Sequence, residues 1–348
     1  MKVRLHALTT AQAAADEMAL PTQQRIDWGV MNPPGGQRDY LQFVAEDGGA
    51  VVATGLVILR KVAFGYVAAN VPRGPVTRTA AELQLVLAAL ETALYAKGAV
   101  TITLNPPVFE DVAATQAALA ARGYAPVPSE LQNMPLVTGI LDLSDGDDAF
   151  LARMTRSGRK DLRKAQKSGI TARPAANRQE AEAANVAMDM MRQSTGILPD
   201  AFQDFARQYD YLESRPEAGI LMVTLLNDQV FGAALTMREG TMGYGLNLAT
   251  RPDINLPRAH LLIYESACVL RDLGMQSFDL VGYDLEGDAA RMGRTGFKKH
   301  FGPAVVDMVP IMSKPLRPML HKGVQQARKM SRMIKAKRAV KPQQGQKV

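Results

Sequence analysis

The stretch AAELQLVLAALETALYAKGAVTITL, residues 80–104, carries a helix pattern followed directly by a strand pattern. Its larger apolar side chains recur at helical spacing: Leu83, Val86, Leu87, Leu90 and Leu94. This periodicity predicts a helix over residues 80–96 that buries one face, and Gly98 is a typical stop signal. The run at residues 99–104 predicts a strand directly after it.

Both halves of the chain repeat the same order of elements. Residues 41–59 alternate around Asp47-Gly48-Gly49 and predict a β-hairpin, and residues 64–69 predict a third strand. In the second half the order recurs as a hairpin, a strand, a loop, a helix ended by Gly274, and a strand: residues 220–237, 242–248, 251–257, 259–273 and 275–281. The repeat is one of element order rather than of residue identity.

Hairpin, strand, loop, helix and strand is the core order of the GNAT acyltransferase fold. We therefore predict an α+β protein with two tandem GNAT-like domains, each a mixed sheet flanked by helices. The predicted domains are residues 1–138, completed in one alternative by part of 308–330, and residues 139–307. A basic helical C-terminal tail at 308–348 follows them.

The composition predicts a cytoplasmic protein of two domains. The chain has 348 residues, of which 47% are hydrophobic, and its single cysteine, Cys268, excludes an intramolecular disulfide. Polar residues interrupt the N-terminus before a secretory signal forms. No run reaches the roughly 20 apolar residues that a membrane span needs.

Positive charge is concentrated at the C-terminus. The formal net charge is +7, but no Asp or Glu accompanies the 11 Lys and Arg residues after Asp307, so the remaining 30 basic and 34 acidic residues balance to −4. This tail is a candidate contact for RNA or for anionic lipid on the inner surface of the membrane. A solvated, partly disordered end is the alternative.

A second basic run, residues 153–169, is predicted to be largely helical and to end at Gly169. Its cations fall on one side of the helix: Arg153, Arg156, Lys160, Arg163 and Lys167. Such a stripe fits the phosphate backbone of a nucleic acid, whereas the alternative is an ordinary solvated face. Because cations on one face repel one another, we favour the polyanion interpretation.

Two short motifs are candidate sites. In VPRGPV, residues 71–76, Pro and Gly fix a turn that presents Arg73 to an anion, unless Arg73 merely ends a loop. In GFKKHFG, residues 296–302, Lys298 is placed to stabilise the oxyanion that forms when an amine attacks an ester. The alternative is that Phe297 and Phe301 pack while the lysines face water.

Several other kinds of site are not predicted. No P-loop or Rossmann glycine pattern occurs, Cys268 has no obvious His partner, and the glycine-rich loop that holds the pyrophosphate of acetyl-CoA is missing before residues 80 and 259. Acetyl-CoA is therefore not expected as the donor. The histidines show no metal-ligand spacing: His6, His260, His300 and His321.

Taken in order, these motifs resemble the Fem (FemABX) family of aminoacyl-tRNA-dependent, peptidoglycan bridge-forming aminoacyl transferases. The resemblance covers most of the chain and lies in the order and spacing of RGPV at 73–76, the helix-Gly-strand-NPP run at 98–107, LDLS at 141–144, KSGI at 167–170, TGI at 195–197 and FKKHFG at 297–302. It implies a monomeric transferase with aminoacyl-tRNA as co-substrate and no metal or other cofactor. The implied acceptor is an amine on the stem peptide of a lipid- or nucleotide-linked cell-wall precursor.

The resemblance also implies roles for individual residues. Phe297 and Lys298 would contact the tRNA end and steady the tetrahedral intermediate, which makes Lys298 the leading catalytic candidate. The basic stripe and Lys299 would bind the body of the tRNA. Substrate contacts are implied at Arg73, Trp28 and Tyr283.

Two departures from the family leave the acceptor open. Asn32 and Asp200 stand where relatives that bind a nucleotide-linked acceptor carry basic residues. The acceptor is then a lipid-linked precursor, or a lipid, peptide or polysaccharide amine outside the cell wall, and the transferred amino acid is not specified. A non-catalytic RNA-binding protein is the alternative outside the enzymes.

Overall fold

The computed structural model describes residues 1–8, 19–32, 37–107, 111–128, 132, 136–195, 203–285, 289–324 and 326. Within these residues the chain forms two seven-stranded mixed sheets, which we call sheet 1 and sheet 2. The strands are β1 (Lys2–Ala7), β2 (Arg38–Asp47), β3 (Ala50–Lys61), β4 (Val67–Val71), β5 (Ala99–Leu104), β6 (Ala125–Pro126), β7 (Val137–Asp142), β8 (Thr171–Pro174), β9 (Gly219–Leu226), β10 (Gln229–Glu239), β11 (Met242–Thr250), β12 (Ser277–Asp279), β13 (Ala304–Asp307) and β14 (Met312–Pro315).

Helices cover the faces of both sheets. They are α1 (Ile26–Met31), α2 (Ala80–Ala96), α3 (Val112–Ala121), α4 (Asp147–Arg153), α5 (Arg156–Lys167), α6 (Arg178–Thr195), α7 (Phe205–Ser214), α8 (Arg258–Asp272) and α9 (Ala289–Lys298), with short 3-10 helices at Thr22–Gln24, Pro216–Ala218 and Lys299–Phe301. None of the helices in the described part of the chain combines the length and the apolar character needed to cross a bilayer.

The two sheets share one topology. Sheet 1 has the order β1-β2-β3-β4-β5-β14-β6, and sheet 2, taken from its β8 edge, has the order β8-β9-β10-β11-β12-β7-β13. Each sheet contains one parallel pair of strands, β4 with β5 in sheet 1 and β11 with β12 in sheet 2. The strand on either side of each pair runs antiparallel to it. The repeat of element order in the sequence therefore corresponds to a structural repeat.

The halves exchange one strand each. After β6 the chain enters sheet 2 as β7, between β12 and β13. After β13 it returns to sheet 1 as β14, between β5 and β6. Each sheet is therefore completed by a strand from the other half, because the backbone groups of β5 and β12 need a hydrogen-bonding neighbour on that side. The predicted domain boundaries remain predictions.

The helix predicted at residues 80–96 is confirmed as α2. Thr79 caps it by accepting a hydrogen bond from the backbone of Glu82, and its five predicted core residues are buried against sheet 1. The second predicted helix is confirmed as α8, within one residue at each end. Its buried face packs on sheet 2 with Leu261, Leu262 and Leu270.

The basic run at 153–169 forms two helices rather than one. Met154 has extended backbone and a buried side chain, and Thr155 caps α5 by accepting from the Gly158 backbone at 3.0 Å. Gly158 also meets the 3-10 helix Lys299–Phe301, since a Cβ there would lie 2.5 Å from the His300 carbonyl oxygen. This close packing places the start of α5 against the segment that follows Lys298.

Candidate active site

Lys298 is the last residue of α9, and its ammonium group is held at the end of sheet 2. Nζ donates to the carbonyls of Val281 and Gly282, the latter at 3.1 Å. Both carbonyl residues have positive φ, 47° for Val281 and 58° for Gly282. A β-branched residue in this conformation is strained, and such strain concentrates at functional sites. The local backbone is thus shaped to turn two carbonyls toward the lysine.

The hydrogen bonding between the parallel strands β11 and β12 of sheet 2 ends close to Lys298. β11 pairs with β12 only from Met242 to Tyr244, whereas its pairing with β10 continues to Thr250. Within that unsupported part, Leu246 is an extra residue, because its neighbours Gly245 and Asn247 take consecutive partners on β10. A bulge at this position bends a strand and is common beside active sites. The carboxyl ends of β11 and β12 therefore form the candidate site.

Asp279, the last residue of β12, supports the backbone turn that holds Lys298. Its Oδ1 accepts the Thr138 hydroxyl and, at 2.8 Å, the Val281 amide. Burial raises the pKa of Asp279, although the Thr138 hydrogen bond and the charge of Arg73 oppose the change. Oδ2 is buried and has no hydrogen-bond partner among the residues described.

Arg73 lies inside the protein rather than at its surface. Its side chain is 1% exposed, and one guanidinium nitrogen lies 2.7 and 2.8 Å from the two carboxylate oxygens of Glu239 on β10. The guanidinium also lies 3.9 Å from the ring centroid of Tyr244. Burial by itself lowers the pKa of Arg73, but Glu239 and Tyr244 reverse the direction and raise it.

This arrangement does not present Arg73 to an external anion, as the sequence motif suggested, because Glu239 already neutralises it. The backbone of Arg73 has φ of 50°, and Asn105 accepts its amide at 2.9 Å. Glu239 in turn accepts the Thr22 amide at 2.7 Å. The pair therefore joins the turn of the first half to sheet 2 beside Tyr244, which is the partner of Asp279 in the strand register.

Trp28 and Tyr283, the other two predicted substrate contacts, are also buried. Trp28 packs against Tyr40 and Leu56 in a small cluster that includes the bulged Leu246. Tyr283 is 4% exposed, and its ring covers Gly139 on β7. Both side chains border the ends of β11 and β12, but neither offers a free surface. Their substrate-binding roles remain predictions.

The basic stripe is largely on the surface. In the described residues, no ion pair involves the exposed cations of α5: Arg156, Lys160, Arg163, Lys164 and Lys167. Arg153 differs, because it ends α4 and lies 2.8 Å from Asp145 and 3.7 Å from Asp142. We therefore remove Arg153 from the stripe, and Lys164 takes its place.

A shallow depression of about 500 Å³ runs along this surface, lined by Lys160, Arg163, Lys164, Lys167, Ser168 and Leu256. Lys299 is also exposed and begins the 3-10 helix that packs against the start of α5. We call α5 and Lys299 together the basic face. The fold brings α5 close to the segment that follows Lys298, although more than 100 residues separate the two in sequence.

Some of the predicted features lie inside the protein, and others fall outside the described residues. Lys314 lies in β14 and contacts Glu91 at 2.7 Å, so the predicted tail begins inside sheet 1. The TGI turn after Thr195, Asp200 and the basic tail beyond residue 326 lie outside the described residues. Burial, with Asp147 and Glu265 adding to it, raises the pKa of Cys268 to about 11, which favours the protonated thiol near neutral pH.

Much of this site falls within the match to one protein-family model. Residues 152–299 match the model described as "Acetyltransferase (GNAT) domain". The matched residues include β11, β12, α5, α8 and Lys298, whereas Trp28, Arg73 and β7 lie outside the match. Among curated proteins, no sequence matches this chain significantly.

Solved structures share the GNAT fold over nearly the whole chain. FemX is 17% identical, with a TM-score of 0.78 over 92% of this chain and 99% of FemX. A tandem GNAT protein from the clavulanic acid biosynthesis pathway is 14% identical, with a TM-score of 0.55 over 90% of this chain and 99% of that chain. The C-terminal domain of a putative lysylphosphatidylglycerol synthetase from Agrobacterium fabrum is 14% identical, with a TM-score of 0.54 over 88% of this chain and 89% of that domain.

These identities are low enough that the likeness concerns the fold alone. The predicted fold class, two tandem GNAT-like units with mixed sheets, is confirmed, and so is the resemblance to the Fem family. The chain has the tandem GNAT fold.

Proposed function

We propose that this protein transfers an amino acid from aminoacyl-tRNA to an amine on the stem peptide of a peptidoglycan precursor. One observation carries the proposal. Lys298, in a motif that resembles the Fem family, is fixed by two backbone carbonyls at the open carboxyl ends of β11 and β12. An immobilised cation at that place is suited to stabilise negative charge that develops in the transition state, because it needs no reorganisation.

The reaction is an aminolysis. The neutral acceptor amine attacks the ester carbonyl carbon, a C–N bond forms, and the carbonyl oxygen becomes an oxyanion. When the intermediate collapses, the ester C–O bond breaks, the terminal ribose hydroxyl of the tRNA leaves with a proton, and the amine nitrogen ends as an amide. Lys298 contributes charge stabilisation in this scheme, and Phe297 places an aromatic face 6.0 Å from its ammonium.

The basic face supplies a surface for the tRNA backbone beside Lys298. Five exposed cations on one helix, unpaired within the described residues, give an electrostatic contact that releases counterions when phosphates bind. Because aminoacyl-tRNA is a cytoplasmic molecule, a reaction that uses it as donor takes place in the cytoplasm. A lipid-linked acceptor would add a contact with the inner membrane surface.

Removal of charge from the basic face should weaken tRNA binding and its salt dependence. For the variant with Lys160→Ala, Arg163→Ala and Lys167→Ala, we expect the slope of log K against log salt to fall by about 2 to 3, since each phosphate contact contributes roughly 0.7 to 0.9. Filter binding of labelled tRNA across a salt series measures this slope.

The matched control replaces exposed cations of the first half by alanine, Arg60, Lys61 and Lys97, which removes the same number of Lys and Arg residues. The control should keep the wild-type slope. Equal losses in the two variants would mean that tRNA responds to overall charge, and the basic face would lose its assigned role.

The proposed function is tested by incubating the protein with total tRNA charged with labelled amino acids. Lipid-linked and nucleotide-linked stem peptides are supplied as acceptors, and label is followed into an RNase-resistant product. Transfer to one of these acceptors supports the proposal and names the amino acid. Salt-sensitive tRNA binding without any transfer would contradict it and favour a non-catalytic RNA-binding protein.

A lipid amine or hydroxyl is the second candidate acceptor. The likeness to a putative lysylphosphatidylglycerol synthetase domain and to L-PGS from Bacillus licheniformis, with TM-scores of 0.54 and 0.55, favours it over peptide or polysaccharide acceptors. The same assay therefore includes vesicles that contain phosphatidylglycerol. Acetyl-CoA is included as a competing donor, and label transfer from it would overturn the assignment of tRNA as donor.

A further inference from the structure

Three side chains converge between α5, α8 and the 3-10 helix Lys299–Phe301. Nε2 of His260 lies 2.8 Å from Nδ1 of His300, and Oδ2 of Asp161 lies 3.7 Å from each of these nitrogens. The three donor atoms therefore form a triangle less than 4.8 Å across. His260 is buried, and the other two are partly exposed.

Hydrogen bonding alone does not account for this arrangement. A neutral pair of imidazoles can share one proton at 2.8 Å, but a separation of 3.7 Å is too long for a hydrogen bond to the carboxylate. Asp161 would then face two ring nitrogens without bonding to either. A group placed among the three donors gives each of them a partner.

The triangle has the dimensions of a metal site. Four-coordinate Zn²⁺ binds His nitrogen and carboxylate oxygen at about 2.0 to 2.2 Å, which sets neighbouring ligand atoms about 3.3 to 3.5 Å apart. The observed separations, one of 2.8 Å and two of 3.7 Å, bracket that value. Small rotations of the side chains would equalise them.

Packing and the helix start hold the His260 ring in place. The Phe301 ring stacks on it with centroids 5.8 Å apart. The backbone amide of His260 donates to the Pro257 carbonyl at 3.1 Å, in the first turn of the helix that carries the ring.

We propose that Asp161, His260 and His300 bind one divalent transition metal ion, with Zn²⁺ the best match to two imidazoles and one carboxylate. A water molecule completes the coordination. The site is distinct from Lys298 and is not needed for the aminolysis scheme, so it does not rest on the proposed function.

The bound ion would tie together three elements that border the candidate active site. Asp161 belongs to the basic face, His260 to the first turn of α8, and His300 follows Lys298 by two residues. The Phe297 ring lies 6.3 Å from that of His260, centroid to centroid. The ion would therefore connect α5 and α8 to the segment that carries Phe297 and Lys298.

Zinc binding by the untagged full-length chain tests the proposal. Isothermal titration with Zn²⁺ should give one ion per chain, and Co²⁺ should give the intense visible absorption of a four-coordinate centre. Asp161→Ala and His300→Ala should each weaken Zn²⁺ binding by at least about 100-fold, because loss of even an outer partner costs about 10- to 100-fold.

His6→Gln is the matched control, since His6 lies on β1 in sheet 1, and it should bind Zn²⁺ like the wild type. Asp161 is a partly exposed helix residue, so its alanine variant should fold, and the Co²⁺ spectrum tests the wild type without any substitution. No uptake of Zn²⁺ or Co²⁺, or uptake that the ligand variants leave unchanged, would overturn the proposal.

Discussion

Lys298→Ala should lower turnover by at least about 100-fold while the basic face still binds the body of the tRNA. Removal of a single group that stabilises an oxyanion typically lowers kcat by about 10²- to 10³-fold, and an immobilised charge is at least as effective as a neutral donor. The side chain is anchored by Val281 and Gly282, so alanine leaves the two carbonyls aimed at an empty position. Single-turnover transfer from labelled aminoacyl-tRNA measures the loss.

Lys299→Ala is the control, because it removes the same charge one residue further along the chain. Lys299 is exposed and belongs to the basic face, so its loss should weaken tRNA binding slightly and leave the rate of the bound complex near that of wild type. Equal rates for the two variants would contradict the catalytic role of Lys298, provided that both melt at the wild-type temperature.

Glu239→Ala should produce the largest loss of stability among single substitutions at the candidate site. It leaves the Arg73 guanidinium, 1% exposed, without its carboxylate partner, and loss of one partner of a buried ion pair costs about 3 to 5 kcal/mol. The Thr22 amide also loses its acceptor. Urea denaturation followed by the fluorescence of Trp28 measures the change in the free energy of unfolding.

The double variant Arg73→Met with Glu239→Leu separates an unpaired charge from lost packing. Replacement of a buried ion pair by apolar residues is often neutral, so the double variant should recover most of the loss. Glu182→Ala, which removes an exposed partner of Arg178, should cost only about 0.2 to 1 kcal/mol. A cost for Glu239→Ala as small as that of Glu182→Ala would show that Arg73 finds another partner.

Local periodicity was sufficient to predict the elements on which the fold rests. The apolar spacing from Leu83 to Leu94 specified both the helix and its buried face, since a helix without a buried stripe has little tertiary stabilisation. Gly98 and Gly274 mark the helix ends because both take positive φ, 81° in each case. The repeated order of these elements predicted two GNAT-like units.

Features that depend on distant residues were not specified by the sequence. Completion of the first domain by part of 308–330 was only one alternative, and nothing in the pattern of a strand names its partner, so the pairings of β7 with β12 and of β14 with β5 were left open. Arg73 was expected to face an anion, because its neighbours in sequence indicate only a turn. Arg73 is instead buried against Glu239, which lies 166 residues away in the chain. Arg153 left the basic stripe for a similar reason, since Asp145 holds it at the end of α4.

The candidate metal site gave no sequence signal at all. Zinc motifs are recognised by ligands a few residues apart, but Asp161, His260 and His300 lie on three elements and meet only in the folded chain. Spacing along a few turns of backbone was enough to predict α2, α8, most strands, the tandem repeat and a cationic helical run, although that run is divided between α4 and α5. Which charges are buried, which strand completes which sheet, and the approach of α5 and α8 to the segment around Lys298 follow only from the folded structure, because they depend on contacts between residues far apart in the chain.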